Sequence, residues 1–118
     1  MSDVTNSDVT IYHNPRCSKS RETLELLRSR GVEPTVIEYL KTPPTAAELA
    51  ALLAKLGKEP RAITRSKEAA EAGIAKDLDG DALIAALSAN PGAIERPIVV
   101  KGDRARLGRP PESVLEIL

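Results

Sequence analysis

From Val9 to His13 the chain alternates apolar and polar side chains, Val9-Thr10-Ile11-Tyr12-His13. That two-residue period is the mark of a half-buried strand. Asn14-Pro15 breaks it. From residue 18 or 20 the period lengthens to that of a helix, with Leu24 and Leu27 on one face, and Gly31 stands where helices end in a left-handed residue. Thr35-Val36-Ile37-Glu38-Tyr39 predicts a second strand. Strand, helix and strand within about 30 residues make a parallel crossover unit, right-handed by default.

Pro43-Pro44 closes this region, and Thr45-Ala46-Ala47-Glu48 has the spacing of a capping box. It predicts a helix running to about Leu56, with Gly57 beyond it. Residues 60–88 are rich in alanine and charge, and predict helical segments at 66–72 and 81–88, the second stopped by Asn90-Pro91. The recurrence of alanine reflects helix propensity and not an internal repeat. Ile98-Val99-Val100 and Arg104-Ala105-Arg106-Leu107 flank Lys101-Gly102-Asp103, which predicts a short hairpin, and a last helix is expected over 111–118. A parallel pair, an antiparallel hairpin and flanking helices describe an α/β fold. The expected architecture is a single thioredoxin-like domain over residues 9–118, with a mixed sheet and a helical insertion. Residues 1–8 are polar and aperiodic and read as a loose leader.

Composition narrows the chemistry. The 118 residues suffice for one domain with a closed core. They are 42% hydrophobic but only 2% aromatic, so that core is built from Leu, Ile, Val and Ala. Seventeen basic residues balance seventeen acidic ones, which gives no net attraction to nucleic acid or anionic membrane. No apolar run reaches the length of a membrane span. A single cysteine cannot form an intramolecular disulfide, and no signal-like segment opens the chain, so a reducing, cytoplasmic location is expected. One histidine and one cysteine cannot assemble an ordinary zinc site. Nucleotide-binding glycine patterns are missing, and two tyrosines make no stacking platform.

What remains is the thiol of Cys17, in the run His13-Asn14-Pro15-Arg16-Cys17-Ser18-Lys19-Ser20-Arg21. It lies between the first strand and the first helix. A helix N-terminus and nearby cations, here Arg16, Lys19 and Arg21, lower the cost of a thiolate and make a nucleophile. The alternative is a buried structural cysteine, packed as a small apolar group. His13, four residues before it, is either a group that helps hold the thiolate or an ordinary histidine at a strand end.

Arginines mark the second cluster of chemistry. Arg65, Arg96 and Arg109 stand at element boundaries, with Arg96-Pro97 before one apolar strand and Arg109-Pro110 after the hairpin. Converging guanidinium forks select a tetrahedral oxyanion, whereas taken singly each is also readable as a solvated surface charge. Pro97 precedes a strand, a position where a cis bond is a candidate although most X-Pro bonds are trans.

Four separated motifs, Ile11 to Arg21, Thr42-Pro43-Pro44-Thr45, Arg96-Pro97-Ile98-Val99-Val100 and Arg106-Leu107-Gly108-Arg109-Pro110, occur in order. Together they resemble the glutaredoxin-coupled arsenate reductases of the ArsC family, over nearly the whole chain from Val9 to Leu118. The resemblance implies a thioredoxin-like fold and reduction of arsenate to arsenite, with no bound cofactor or metal and with glutathione as co-substrate. Cys17 would be the nucleophile, His13 and Ser20 would match the family's histidine and serine beside it, and Arg65, Arg96 and Arg109 would bind the oxyanion. In the scheme so implied, a cysteine-arsenate adduct passes to a glutathionylated arsenic intermediate, and glutaredoxin regenerates the enzyme as arsenite leaves. A lone cysteine agrees with it, since without a resolving thiol the electrons come from outside.

The chain departs from the family pattern in three places. Arg16 replaces a small residue, Gly108 stands where some members have a second cysteine, and the sequence stops at Leu118, short of the extension of longer members. Two other functions remain compatible with the motifs. One is a glutathione-dependent thiol reductase of another substrate, and the other a non-catalytic Spx-type regulator that binds RNA polymerase. Such regulators carry Cys-x-x-Cys where this chain has Cys17-Ser18-Lys19-Ser20, and the three arginines favour the enzyme.

Overall fold

A computed structural model describes residues 8–118. Residues 1–7, most of the expected leader, lie outside the described residues, and Asp8 forms the turn into the first strand. The fold divides into two compact units, one made of the residues up to Glu38 together with Arg96–Leu118, the other of Tyr39–Glu95.

The first unit holds the sheet: β1 (Val9–His13), β2 (Thr35–Glu38), β3 (Ile98–Lys101) and β4 (Arg104–Leu107), in the order β2-β1-β3-β4. β1 and β2 are parallel, in register from Thr10 with Thr35 to His13 with Glu38, while β1–β3 and β3–β4 are antiparallel. The parallel pair is joined by α1 (Ser18–Ser29), as the strand-helix-strand pattern requires. Gly31, at φ 77°, ends α1, and the N–H of Val32 bonds back to the carbonyl of Leu27.

Val9 and Ile11 of β1, Leu27 of α1, Val99 of β3, and Val114 and Ile117 form the core of this unit, with Leu24 and Val32 against it. Aliphatic side chains supply all of it, as the composition demands. The last helix expected over 111–118 is a 3-10 helix at Pro111–Ile117, and it packs on α1 and β4. Pro110 and Pro111 lead into it and cannot donate backbone hydrogen bonds.

The second unit is the helical insertion: α2 (Ala46–Leu56), α3 (Ser66–Glu71) and α4 (Gly80–Ala89), with 3-10 turns at Pro60–Ile63 and Pro91–Ala93. The capping box is formed reciprocally, with Thr45 Oγ1 accepting from Glu48 N–H at 3.1 Å and Glu48 Oε1 accepting from Thr45 N–H at 2.8 Å. Leu49, Leu52, Leu53 and Leu56 bury one face of α2, and Leu83, Ile84 and Leu87 the matching face of α4. No helix among the described residues is long and apolar enough to cross a membrane.

Candidate active site around Cys17

Strand β1 ends at His13, and four residues later the chain has turned into α1 with Cys17 at its N-cap. Asn14-Pro15 forces that turn, because proline both limits its own φ and keeps the residue before it out of the helical region. The Cys17 N–H donates to the Asn14 carbonyl at 3.0 Å, and the Cys17 carbonyl receives the N–H of Arg21 at 3.0 Å. The thiol is therefore carried at the point where the helix presents its unsatisfied N–H groups. It is partly exposed, so Cys17 is not the buried structural cysteine of the alternative reading.

Burial and three neighbouring groups decide its charge. Burial pushes the Cys17 pKa up, but the N–H of Ser20, the Arg96 guanidinium and the N–H of Lys19 together outweigh it and hold the thiol below its ordinary range. Arg109 adds a contact, with Nη2 3.5 Å from Cys17 Sγ. A free guanidinium would swing past the sulfur. Here Arg109 Nε donates to the Arg96 carbonyl at 2.8 Å, which aims the remaining donors.

The two arginine segments are joined again by the Gly108 N–H, which donates to the Pro97 carbonyl at 2.9 Å. Gly108 is buried, and a Cβ there would stand 2.5 Å from Thr23 Oγ1 and 2.7 Å from Pro97 Cγ. No side chain fits, so a second cysteine at this position is sterically excluded unless its neighbours move. The Arg96–Pro97 and Arg109–Pro110 peptides are both cis.

His13 and Ser20 meet below the thiol. His13 Nδ1 lies 2.7 Å from Ser20 Oγ, which accepts the Asn14 N–H at 3.0 Å, and both side chains are buried. Burial lowers the His13 pKa; Glu38 opposes this, and Arg28 and Arg21 reinforce it. A neutral ring makes this bond in either tautomer, accepting at Nδ1 from the Ser20 hydroxyl or donating to its oxygen. The described hydrogen bond of His13 thus goes to Ser20, and Ser20 in turn offers its backbone N–H to the sulfur.

Arg65 belongs to the helical unit. It is the N-cap of α3, its Nη1 donates to Glu95 Oε1 at 2.6 Å, and its Nε lies 3.3 Å from Glu68 Oε2. Burial works against its charge, but Glu95 and then Glu68 more than compensate and raise its pKa. The N–H groups of Arg65 and Glu95 bond across to the carbonyls of Ala93 and Ile63, which sets the two side chains beside each other.

The structure thus gathers Cys17, Arg96, Arg109, His13 and Ser20 in one unit. Sequence reasoning missed Asn14, taken only as a strand breaker, although an asparagine before a turn is a known acceptor for nearby N–H groups.

The sequence model of the ArsC family matches residues 12–117. The chain belongs to the ArsC family. It is 50% identical over 115 residues to the arsenate reductase of Escherichia coli K12, covering 95% of this chain and 82% of that protein. It is also 55% identical over 114 residues to an uncharacterized protein of the same organism, YfgD, covering 93% of this chain and 96% of that one. Among solved structures, an arsenate reductase from Vibrio cholerae is 54% identical, with a TM-score of 0.87 over 93% of this chain and 97% of its own. The mixed sheet with its helical insertion is thus the ArsC architecture, thioredoxin-like as the sequence predicts.

Proposed function

We propose that this chain reduces arsenate to arsenite, with glutathione and glutaredoxin as reductants, in a domain that spans residues 9–118 and works in the cytoplasm. The observation that carries the reading is the Cys17 thiol at the N-terminus of α1 with the Arg109 guanidinium 3.5 Å from its sulfur. Thiolate and oxyanion repel each other in water. A helix N-terminus and guanidinium forks offset that repulsion where the two must meet. The 50% identity to an arsenate reductase supports arsenate as the oxyanion.

In this reading the Cys17 thiolate attacks arsenic and a hydroxyl leaves as water, forming a cysteine-arsenate adduct. Glutathione then condenses on the arsenic with loss of a second water. A glutaredoxin thiolate attacks the glutathione sulfur, so that the electron pair of the arsenic–sulfur bond stays on arsenic. As(V) becomes As(III), and a glutathione–glutaredoxin disulfide forms. Hydrolysis frees arsenite and the Cys17 thiol. Cys17 is the only cysteine, so the oxidising equivalents leave on the external thiols.

Arg96 and Arg109 bind the oxyanion and the charge that develops on it. Arg65 is proposed as the third arginine on the resemblance alone. Ser20 and His13 hold the turn that supports the thiol. The test is NADPH oxidation in a mixture with glutathione, glutaredoxin and glutathione reductase. Consumption that needs arsenate and stops when glutaredoxin is left out supports the reading, and arsenate-independent consumption or none contradicts it.

A further inference from the structure

Asn14 makes three hydrogen bonds in the turn between β1 and α1. Its N–H donates to Ser20 Oγ at 3.0 Å, its side-chain Oδ1 accepts the Arg16 N–H at 2.9 Å, and its carbonyl accepts the Cys17 N–H at 3.0 Å. The residue is 6% exposed, although an asparagine in a surface turn is ordinarily solvated. Its backbone joins the buried His13–Ser20 pair on one side and the N-cap of the helix on the other. The Oδ1 bond to Arg16 N–H is a side-chain turn, the asparagine mimicking a backbone carbonyl two residues before the donor.

We propose that Asn14 is the positioning residue of the site, its side chain closing the turn that sets Cys17 Sγ against the N–H groups of α1. Without the Oδ1 acceptor the Arg16 N–H loses its side-chain partner, residues 15 and 16 keep as side-chain tether only the exposed bond from Arg21 Nη1 to the Pro15 carbonyl at 3.0 Å, and the Cys17 N-cap conformation (φ −93°, ψ 123°) becomes one of several open to the turn. The sulfur then samples positions off the helix end, where the dipole falls away within a turn. Asn14 touches no reacting atom itself, so its effect is read through the thiol. This inference rests on Cys17 as the working group, but its readout needs no arsenate, which keeps its failure distinct from a failure of the arsenate reading.

The test compares wild type with Asn14→Ala, Asn14→Leu and Asn14→Ser. The first two remove the acceptor, leucine with the same branched heavy-atom skeleton, and serine keeps a hydroxyl able to make the same kind of turn more weakly. Single-turnover alkylation by iodoacetamide across pH gives the thiol midpoint, and circular dichroism checks folding. Loss of one hydrogen bond that orders the thiolate site predicts an upward shift of about half to one pH unit for alanine and leucine. Serine should recover at least half of that shift. A folded alanine or leucine variant with the wild-type midpoint would overturn the proposal, as would a serine variant shifted as far as alanine. Failure of both alanine and leucine variants to fold would also overturn it, since Asn14 would then serve the fold and not the thiol.

Discussion

Arg109 Nε donates to the main-chain carbonyl of Arg96 at 2.8 Å, so one arginine of the site is aimed by the backbone of another. Two segments more than ten residues apart in sequence, each with a cis X-Pro bond, become a single support for guanidinium groups around Cys17. Lysine cannot reproduce this. It keeps the charge but has one ammonium where Arg109 uses Nε to anchor and Nη2 to face the sulfur.

Arg109→Lys and Arg96→Lys are therefore expected to lower turnover with arsenate, each by on the order of a hundredfold if the arginine acts in the transition state. An arginine that acts only in ground-state binding would instead raise the Michaelis constant with turnover unchanged. Steady-state kinetics on the two variants separates these cases. Wild-type kinetics in both would mean surface charges and not an oxyanion site.

Gly108→Ala tests the close approach of that support to α1. The added methyl carbon would lie 2.5 Å from Thr23 Oγ1 and 2.7 Å from Pro97 Cγ, far inside contact distance, and Thr23 is fully buried with its hydroxyl bonded to the Lys19 carbonyl. Overpacking of this kind costs about 1–3 kcal/mol. Thermal or denaturant unfolding should show the loss, and turnover should fall with it because Arg109 is the next residue. Adding Thr23→Ala should return part of the stability. Full stability of Gly108→Ala alone would show that the contact yields freely.

His13 gives the site a pH dependence of stability. Its folded pKa is lowered from 6.5, mainly by burial, so below 6.5 the unfolded chain binds more protons than the folded one. The stabilisation is complete above about 6.5 and is lost as pH falls through and below that value. His13 is the only histidine, and the Cys17 thiol, also held below its ordinary range, adds a dependence of the same sign, so the His13 share is isolated by comparison with a His13 variant. Wild-type melting temperature should fall as pH is lowered through and below about 6.5. In His13→Asn, whose amide oxygen can take the place of Nδ1 toward Ser20, the slope should be flatter, and an unchanged slope would assign the dependence to other groups.

Much of this was legible in the sequence because it rests on local signals. Strand β1 was read to its exact bounds from five alternating residues, and Thr45 with Glu48 announced α2 through its capping box. Cys17 announced itself by standing alone at a strand-to-helix boundary. Other features depend on contacts that no local period encodes. The 3-10 turn at Pro60–Ile63 has no amphipathic period to read, and the final Pro111–Ile117 helix is legible as a helix while its 3-10 winding against α1 and β4 is not. Asn14 was readable as a breaker but not as a hub, because its partners Ser20 and Arg16 are defined only once the turn is closed. The pairing of Arg65 with Glu95 spans 30 residues and depends on the bridge between Thr64 and Ile94.

Cys17→Ser bears most directly on the central claim that the Cys17 thiolate is the group that attacks arsenate. Serine preserves size and the turn, but its hydroxyl stays protonated near neutral pH and is a far weaker nucleophile. Arsenate-dependent NADPH oxidation in the coupled assay should vanish, while circular dichroism and melting stay those of the folded wild type. A folded serine variant that still reduces arsenate at the wild-type rate would contradict the account.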